Sequence, residues 1–265
     1  MDAKLFLPLL LLATLSCSAA YRETVDLAGE WEFADGSRTV TKADGGAGAK
    51  VSVVQSELPP AANAVWKKVL LPGVQPFVPE TVVRHYRRTF ELPEGGPDKV
   101  VKLVFDKAFY RIRVKVNGTE VGDAEPWGLA WECDATKAVK PGRNALEVLI
   151  SNELDVNGPW KSMVKVSWSI ESYFGIRRGV RAEIRPKLHV TDVRAVTKVF
   201  PKPKLTAVVS FSDGTSKTYE KECPDAKLWT PDTPNLYTYS LKDLGCDFPD
   251  DFSIRVGFRE LDWSG

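Results

Sequence analysis

Apolar and polar residues alternate with a period of two along most of the chain. The alternating runs include LAGEWEF, KVSVV, VWKKVLL, HYRRTFEL, KVVKLVF, RIRVKV, NALEVLI, MVKVSWSI and GVRAEIR. Such alternation is typical of β-strands with one buried face. Clusters of Gly, Pro, Asn and Asp separate the runs, as in ADGGAGA, PEGGPD and KPGRN. Short strands with turns at this spacing predict an all-β sandwich, and no segment of helical length carries a convincing 3.6-residue apolar stripe.

The clearest hairpin is predicted for RIRVKVNGTEVG, residues 111–122. Ile112, Val114 and Val116 fall on one face of the first strand, and basic residues fall on the other. The dipeptide Asn117-Gly118 tolerates the two positive φ angles of a tight type I′ turn. With Thr119 it also forms a glycosylation sequon, but the motif is short and we interpret it first as a turn.

The first twenty residues predict a cleaved secretory signal. Lys4 precedes the apolar run LFLPLLLLATL, and Ser18 and Ala20 occupy the cleavage positions. Eleven apolar residues are too few to span a bilayer, which takes about 20. The mature chain is therefore expected to begin near Tyr21 and to be secreted or periplasmic. An alternative is a lipoprotein anchored at Cys17.

A change of composition near Pro186 predicts two units. Residues 21–186 hold the longer strand series, and residues 187–265 begin a second series with a stiff FPKPK bend. The second unit is short for an immunoglobulin-like sandwich of about 100 residues, so we expect one shortened hairpin.

The composition of the chain argues against general nucleic-acid binding and against a metal or cofactor site. Lys and Arg total 36 against 35 Asp and Glu, so the net charge of +1 favours no general attraction to nucleic acid. Besides Cys17 the cysteines are Cys133, Cys223 and Cys246. Cys223 and Cys246 could form a disulfide, or all three could be buried thiols. With two histidines and no zinc-like cysteine spacing, no metal and no cofactor is expected.

Tryptophans are the candidate sugar contacts. Trp31, Trp131 and Trp168 lie within strand patterns and are expected in the core. Trp127 in AEPWGLAW and Trp160 in DVNGPWKS stand beside Pro or Gly in loop contexts. Either could stack on a sugar ring, and either could instead serve packing or a contact between domains.

Several stretches, in this order, resemble the front end of family 2 glycoside hydrolases, the β-galactosidase, β-glucuronidase and β-mannosidase group. They are LAGEWEF, HYRRTFELP, VKVNGTEVG, WECDATKAVKPGRNALEVLISN, GIRRGVRAEIRP, LWTPDTPNLYTYSL and RVGFREL. The resemblance covers about residues 26 to 261. It implies a jelly-roll, galactose-binding-like sugar-binding domain over 21–186 and an immunoglobulin-like β-sandwich over 187–265.

The resemblance also bears on catalysis. In the family, a (β/α)₈ barrel with both catalytic glutamates follows the GFRE strand, and such a barrel needs about 250 residues. We therefore expect a non-catalytic accessory portion whose catalytic barrel is encoded separately. One alternative is a free-standing secreted carbohydrate-binding module, and another is intrinsic glycosidase activity. Acidic residues such as Glu32, Glu91, Glu147 and Glu183 are interpreted as solvated charges.

The resemblance suggests one further site residue and a set of ion pairs. In larger relatives an Asp six residues before the G-I-x-R glycine reaches the active site. That position is Ser169 here, and Glu171 substitutes only if the register slips by two. If strand alternation is regular, one arginine of each pair, Arg87 with Arg88 and Arg177 with Arg178, points inward or to an interface. These arginines are interpreted as members of structural ion pairs, and the alternative is that they bind an acidic sugar. Asp106 or Asp134 is the expected partner.

Overall fold

The computed structural model describes residues 22–37, 64–73, 81–93, 99–109, 111–151 and 175–259. The signal segment and the alternative of anchoring at Cys17 fall on residues 1–21, outside these ranges, and stay predictions. The strands are β1 (Glu23–Asp26), β2 (Gly29–Ser37), β3 (Lys67–Leu71), β4 (Thr81–Leu92), β5 (Lys99–Phe105), β6 (Ala108–Phe109), β7 (Arg111–Val116), β8 (Thr119–Ala124), β9 (Trp131–Asp134), β10 (Gly142–Ser151), β11 (Gly175–Ile176), β12 (Val180–Pro186), β13 (Val190–Lys198), β14 (Lys204–Phe211), β15 (Ser216–Glu222), β16 (Tyr237–Ser240) and β17 (Ser253–Val256). The described part holds no α-helix, only a 3-10 turn at Lys242–Leu244.

Two antiparallel sheets enclose the first core. One has the order β1-β12-β5-β9 and the other the order β3-β2-β4-β10-β7-β8. Strands with period-two burial point every second side chain between the sheets, and Trp31, Tyr86 and Phe105 are fully buried there. The prediction of an all-β sandwich is confirmed. The predicted core position of Trp31 is also confirmed, and Trp131 is partly buried against the same core. Trp168 lies outside the described residues.

The predicted hairpin is β7–β8. Ile112, Val114 and Val116 are completely buried. Asn117 and Gly118 have φ angles of 49° and 81°, so the tight turn is confirmed. The Asn117 side chain is itself structural, because its amide nitrogen donates to the Ala138 carbonyl and its amide oxygen accepts the Ala145 N–H.

A second core belongs to residues 190–258. The sheet β13-β14-β15 and the pair β16-β17 enclose Leu205, Leu241 and Phe258, among others. The cores are distinct clusters, while the boundary at Pro186 stays a prediction. Cys133, Cys223 and Cys246 are buried free thiols. Of the two alternatives for Cys223 and Cys246, a disulfide or free thiols, the structure has the free thiols.

One buried carboxylate connects the start of β1 to the second core. Asp250 binds Arg22 through two hydrogen bonds, Nε to Oδ1 at 2.5 Å and Nη2 to Oδ2 at 2.7 Å. The same Oδ2 accepts the Val190 N–H at 2.8 Å. The guanidinium also donates to the Val190 carbonyl and lies 5.6 Å from the Phe252 ring centroid. Three distant parts of the chain therefore meet at Asp250.

No described helix is long and apolar enough to cross a membrane.

Candidate functional site

Trp127 is the one predicted sugar-binding residue that the structure describes. Trp160 and Glu171 lie within residues 152–174, outside the described ranges. Whether the three side chains come together is therefore untested. Trp127 lies in the turn between β8 and β9, as its sequence context predicted.

The turn holds Trp127 in an uncommon conformation. Its φ is 53°, a left-handed value that bulky residues adopt at an energetic cost. Gly128 follows with a φ of 79°, and a Cβ there would come within 2.1 Å of the Phe109 ring. Gly128 N–H donates to the Ala108 carbonyl at 2.9 Å. The glycine and the hydrogen bond secure the turn, and 40% of Trp127 remains exposed.

Apolar and cationic groups lie beside this turn. Leu129 is 72% exposed. The Lys107 ammonium lies 5.3 Å from the Phe109 ring centroid, and the Lys107 carbonyl accepts the Arg177 N–H at 2.9 Å. An exposed aromatic face with a nearby ammonium group is suited to the apolar face of a sugar ring and one of its hydroxyls.

The outer face of the four-stranded sheet carries an ion-pair chain. It runs Asp106–Arg181–Glu183–Arg185–Glu132, with N···O distances between 2.5 and 2.7 Å along each link. Burial alone would raise the pKa of Glu183, but hydrogen bonds from Arg185 and Arg181 outweigh it and hold that pKa below its usual value. The interpretation of Glu183 as a solvated charge was wrong. Adjacent arginines on β12 neutralise it, and the side chain is only 12% exposed.

The predicted arginine partners were also wrong. Asp106 binds Arg181, and Asp134 binds Lys102 at 3.1 Å. Arg88 does face inward, but its Nη1 donates to the backbone carbonyls of Leu27 and Ala28. The register of β5 and β12 decides this pairing, because Phe105 lies opposite Val180 and the next residue, Asp106, reaches Arg181. Sequence alternation does not specify that register.

The outer face of the six-stranded sheet carries a groove of about 370 Å³. Its lining residues are Glu30, Trp31, Glu32, Arg87, Arg88, Thr89, Arg143, Ala145, Leu146 and Glu147. The Arg87 guanidinium lies 3.8 Å from the Trp66 ring centroid and donates to Glu32 at 2.7 Å. That hydrogen bond lowers the pKa of Glu32. Sequence reasoning missed this groove because it depends on three strands being neighbours.

Several described carboxyl groups have a lowered pKa, which favours hydrogen-bond acceptance over proton donation. Retaining glycoside hydrolysis needs a carboxylic acid held protonated by a raised pKa. Every described carboxyl with a resolved shift has a lowered pKa, namely Glu32, Asp123, Asp134, Glu183, Asp213, Asp243 and Asp250. These groups are ionised hydrogen-bond acceptors at neutral pH. Within the described ranges no three His, Cys, Asp or Glu side chains form a metal-binding group.

The two histidines are structural in the described part. His85 is 3% exposed, with Ala34 and Leu149 as its cross-strand neighbours, and burial lowers its pKa to about 4. His189 is buried, and its Nδ1 lies 2.7 Å from the Pro186 carbonyl oxygen. Each histidine is therefore packed within its own unit.

Comparison with known proteins relates the chain to part of larger glycosidases. No protein-family model matches it. It is 27% identical over 219 residues to a β-galactosidase of Arthrobacter sp. (strain B7), a match that covers 70% of this chain and 20% of that protein. It is 26% identical over 209 residues to a putative β-glucuronidase of Formosa agariphila, covering 67% and 19%.

Solved structures show the same partial relation. The GH2 β-galacturonidase from Eisenbergiella tayi superposes with a TM-score of 0.63 at 20% identity, covering 91% of this chain and 44% of that one. The chain thus spans about a fifth of the length of these curated relatives. It is similar to one region of the β-galactosidase and β-glucuronidase group of family 2 glycoside hydrolases, and it shares the all-β fold of that region.

Proposed function

We propose that this chain is the non-catalytic β-sandwich portion of a family 2 glycoside hydrolase. A separately folded catalytic barrel supplies both glutamates and cleaves the sugar. The observation that carries the proposal is the match to only about a fifth of the relatives' length. The lowered pKa of carboxyls such as Glu32 and Glu183 agrees with it. Carboxylates that arginine or lysine partners keep ionised, such as Glu32, Asp134 and Glu183, can accept hydrogen bonds from a saccharide but cannot donate the proton that glycoside hydrolysis needs.

An exposed apolar surface in the second unit supports docking of the catalytic barrel. Leu228 and Leu236 are 47% and 46% exposed. They lie near each other, because the Asn235 side chain donates to the Leu228 carbonyl at 2.9 Å. Leu228 also bridges to Phe258, next to the last described residue, Arg259. The family's barrel follows this strand, so we place the contact with the catalytic domain here.

The purified chain is expected to release no nitrophenol from 4-nitrophenyl β-galactoside or β-glucuronide, even at high protein concentration. Material from the source cells is expected to co-purify with a family 2 catalytic barrel, identified by mass spectrometry. Leu228→Lys and Leu236→Lys are expected to reduce that co-purification at least tenfold, whereas Val196→Lys on the outer face of β13 serves as control. Turnover by the chain alone that disappears in Glu32→Gln or Glu183→Gln would overturn the proposal.

A second function, direct sugar binding at the Trp127 turn, is supported by the strained and exposed tryptophan. Strained backbone persists where the surrounding structure enforces it, and it concentrates at functional sites. The same surface would serve a free-standing secreted carbohydrate-binding module. Trp160 and Glu171 remain proposed members of this site.

Trp127→Ala is expected to weaken oligosaccharide binding at least tenfold, since stacking on the indole face is lost. Isothermal titration calorimetry against a glycan panel measures it. Phe200→Ala provides a matched control, because Phe200 is an exposed aromatic residue of the second unit. Equal affinities of the Trp127 variant and the unmodified protein would contradict this assignment.

A further inference from the structure

The two hydrophobic cores share no described sheet. Strands β1–β12 form the sheets around the first core, and β13–β17 form those around the second. The chain passes from Pro186, the last residue of β12, to Val190, the first residue of β13, through a short connection. The angle between the two units therefore depends on this connection and on side chains that reach across it.

The connection is bound to the second unit. The His189 N–H donates to the Ser212 hydroxyl at 3.1 Å, and the Ser212 N–H donates to the His189 carbonyl at 2.9 Å. The Ser212 hydroxyl in turn donates to the Lys187 carbonyl, and His189 Nδ1 donates to the Pro186 carbonyl at 2.7 Å. Pro186 itself belongs to the first unit, because it pairs with Lys99 of β5. The bonds beside the Pro186–Lys187 peptide are therefore where one unit can rotate against the other.

Arg22 reaches across this point from the first unit. It directly precedes β1, whose first residue Glu23 lies opposite Ile184 of β12. Its guanidinium donates to both carboxylate oxygens of Asp250, at 2.5 and 2.7 Å, and to the Val190 carbonyl. Both partners belong to the second unit, and the Val190 N–H donates to the Asp250 carboxylate at 2.8 Å. We call Arg22, Asp250 and Val190 the junction latch.

The geometry of the junction latch fixes direction as well as distance. A guanidinium is planar, and its two-point contact with a carboxylate sets the relative orientation of the two groups. The third contact, to the Val190 carbonyl, opposes the rotation that those two points still allow. The Arg22 side chain is 16% exposed and the Asp250 side chain is fully buried, so dissolved salt screens their attraction little.

We propose that the junction latch holds the two β-sandwiches at one angle. Without it, the second unit rotates about the Pro186–Lys187 peptide while both cores stay folded. Each core is closed by its own apolar cluster, and the side chains of Arg22 and Asp250 belong to neither cluster. Closure of the cores and alignment of the units are therefore separate properties of this chain.

The junction latch is independent of any catalytic partner, because all of its groups lie within this chain. It keeps two surfaces at one distance from each other. These are the Trp127 turn of the first unit and the Leu228 and Leu236 surface of the second. A rotating second unit would present them at many distances.

The test is the distance distribution between the two units, measured on the full chain by double electron–electron resonance. Nitroxide labels are attached through p-azidophenylalanine at Thr119 and Thr218, which are exposed on β8 and β15, so the buried thiols stay unmodified. The labelled protein with Arg22 in place is expected to give a single narrow distribution. Arg22→Met is expected to widen it at least twofold, because the guanidinium contacts are lost. Arg194→Met, at an exposed arginine of β13, is the matched control and should keep the narrow distribution.

Asp250→Asn is a second variant that releases the latch. Its amide oxygen can still accept the Val190 N–H, but the ionic contact with Arg22 is gone. The distribution should therefore widen in this variant as well. Near-UV circular dichroism and tryptophan emission report whether both cores stay packed in each variant.

Three results would overturn the inference. One is a broad distribution in the labelled protein with Arg22 in place. Another is an unchanged distribution in either Arg22→Met or Asp250→Asn, which would assign the angle to the connection alone. The third is a loss of the near-UV signal in these variants, which would make the two residues part of a core and not a lock between two units.

Discussion

Asp250→Ala is expected to lower the free energy of unfolding by about 3–5 kcal/mol, the usual cost of breaking a buried ion pair from one side. The Asp250 side chain is fully buried and carries three hydrogen bonds, two from Arg22 and one from the Val190 N–H. Removing the carboxylate leaves a largely buried guanidinium without a counter-charge and a backbone N–H without an acceptor. Both losses act in the same direction.

Chemical denaturation followed by tryptophan fluorescence measures this effect. Asp232→Ala removes an exposed aspartate and should change the free energy of unfolding by less than about 0.5 kcal/mol. In a double-mutant cycle, Arg22→Met with Asp250→Ala should cost less than the sum of the single variants, because the unpaired guanidinium is gone. A loss below about 1 kcal/mol for Asp250→Ala would contradict the assigned role.

Stability is expected to fall by about 2–3 kcal/mol as the pH drops from 6.5 toward 4, owing to His85. Burial lowers the pKa of His85 to about 4. In the unfolded chain the imidazole titrates near 6.5. Between these values the unfolded state binds a proton that the folded state does not, so acidification favours unfolding. Below about pH 4 both states are protonated and this contribution stops changing.

His85→Leu isolates the histidine contribution. The variant should show a flatter stability curve between pH 6.5 and 4, measured by urea denaturation at fixed ionic strength. Acidic groups act in a different window. The pKa of Asp250 is lowered, since the hydrogen bonds from Arg22 and Val190 outweigh burial, so its contribution is full above about pH 4 and is lost at lower pH. An unchanged slope between pH 6.5 and 4 in His85→Leu would refute the prediction.

Local features were predictable from the sequence. The β7–β8 hairpin needed only alternation and the Asn117-Gly118 turn, because both act over a few residues. The same holds for the buried position of Trp31 and for the loop position of Trp127. In each case the neighbours in sequence decide the backbone conformation or the face on which a side chain points.

The pairing of charges was not predictable in the same way. Arg181 and Asp106 are 75 residues apart, and Arg22 and Asp250 are 228 apart. Many basic and acidic residues alternate on polar strand faces, so the sequence offers many equivalent partners. Strand order and register select among them, and a shift of one residue would move every side chain to the opposite face.

The sequence by itself determined that this protein is an all-β chain, and it carries the similarity to the sandwich region of family 2 glycoside hydrolases. Period-two alternation and turn residues carry that information locally, and ordered motifs carry the family relation. The tertiary structure alone decided that Glu183 is neutralised by two arginines, and that Thr89 and Ala145 form the floor of a groove. The physical reason is that hydrogen bonds and ion pairs act over a few ångströms in space, whatever the separation along the chain.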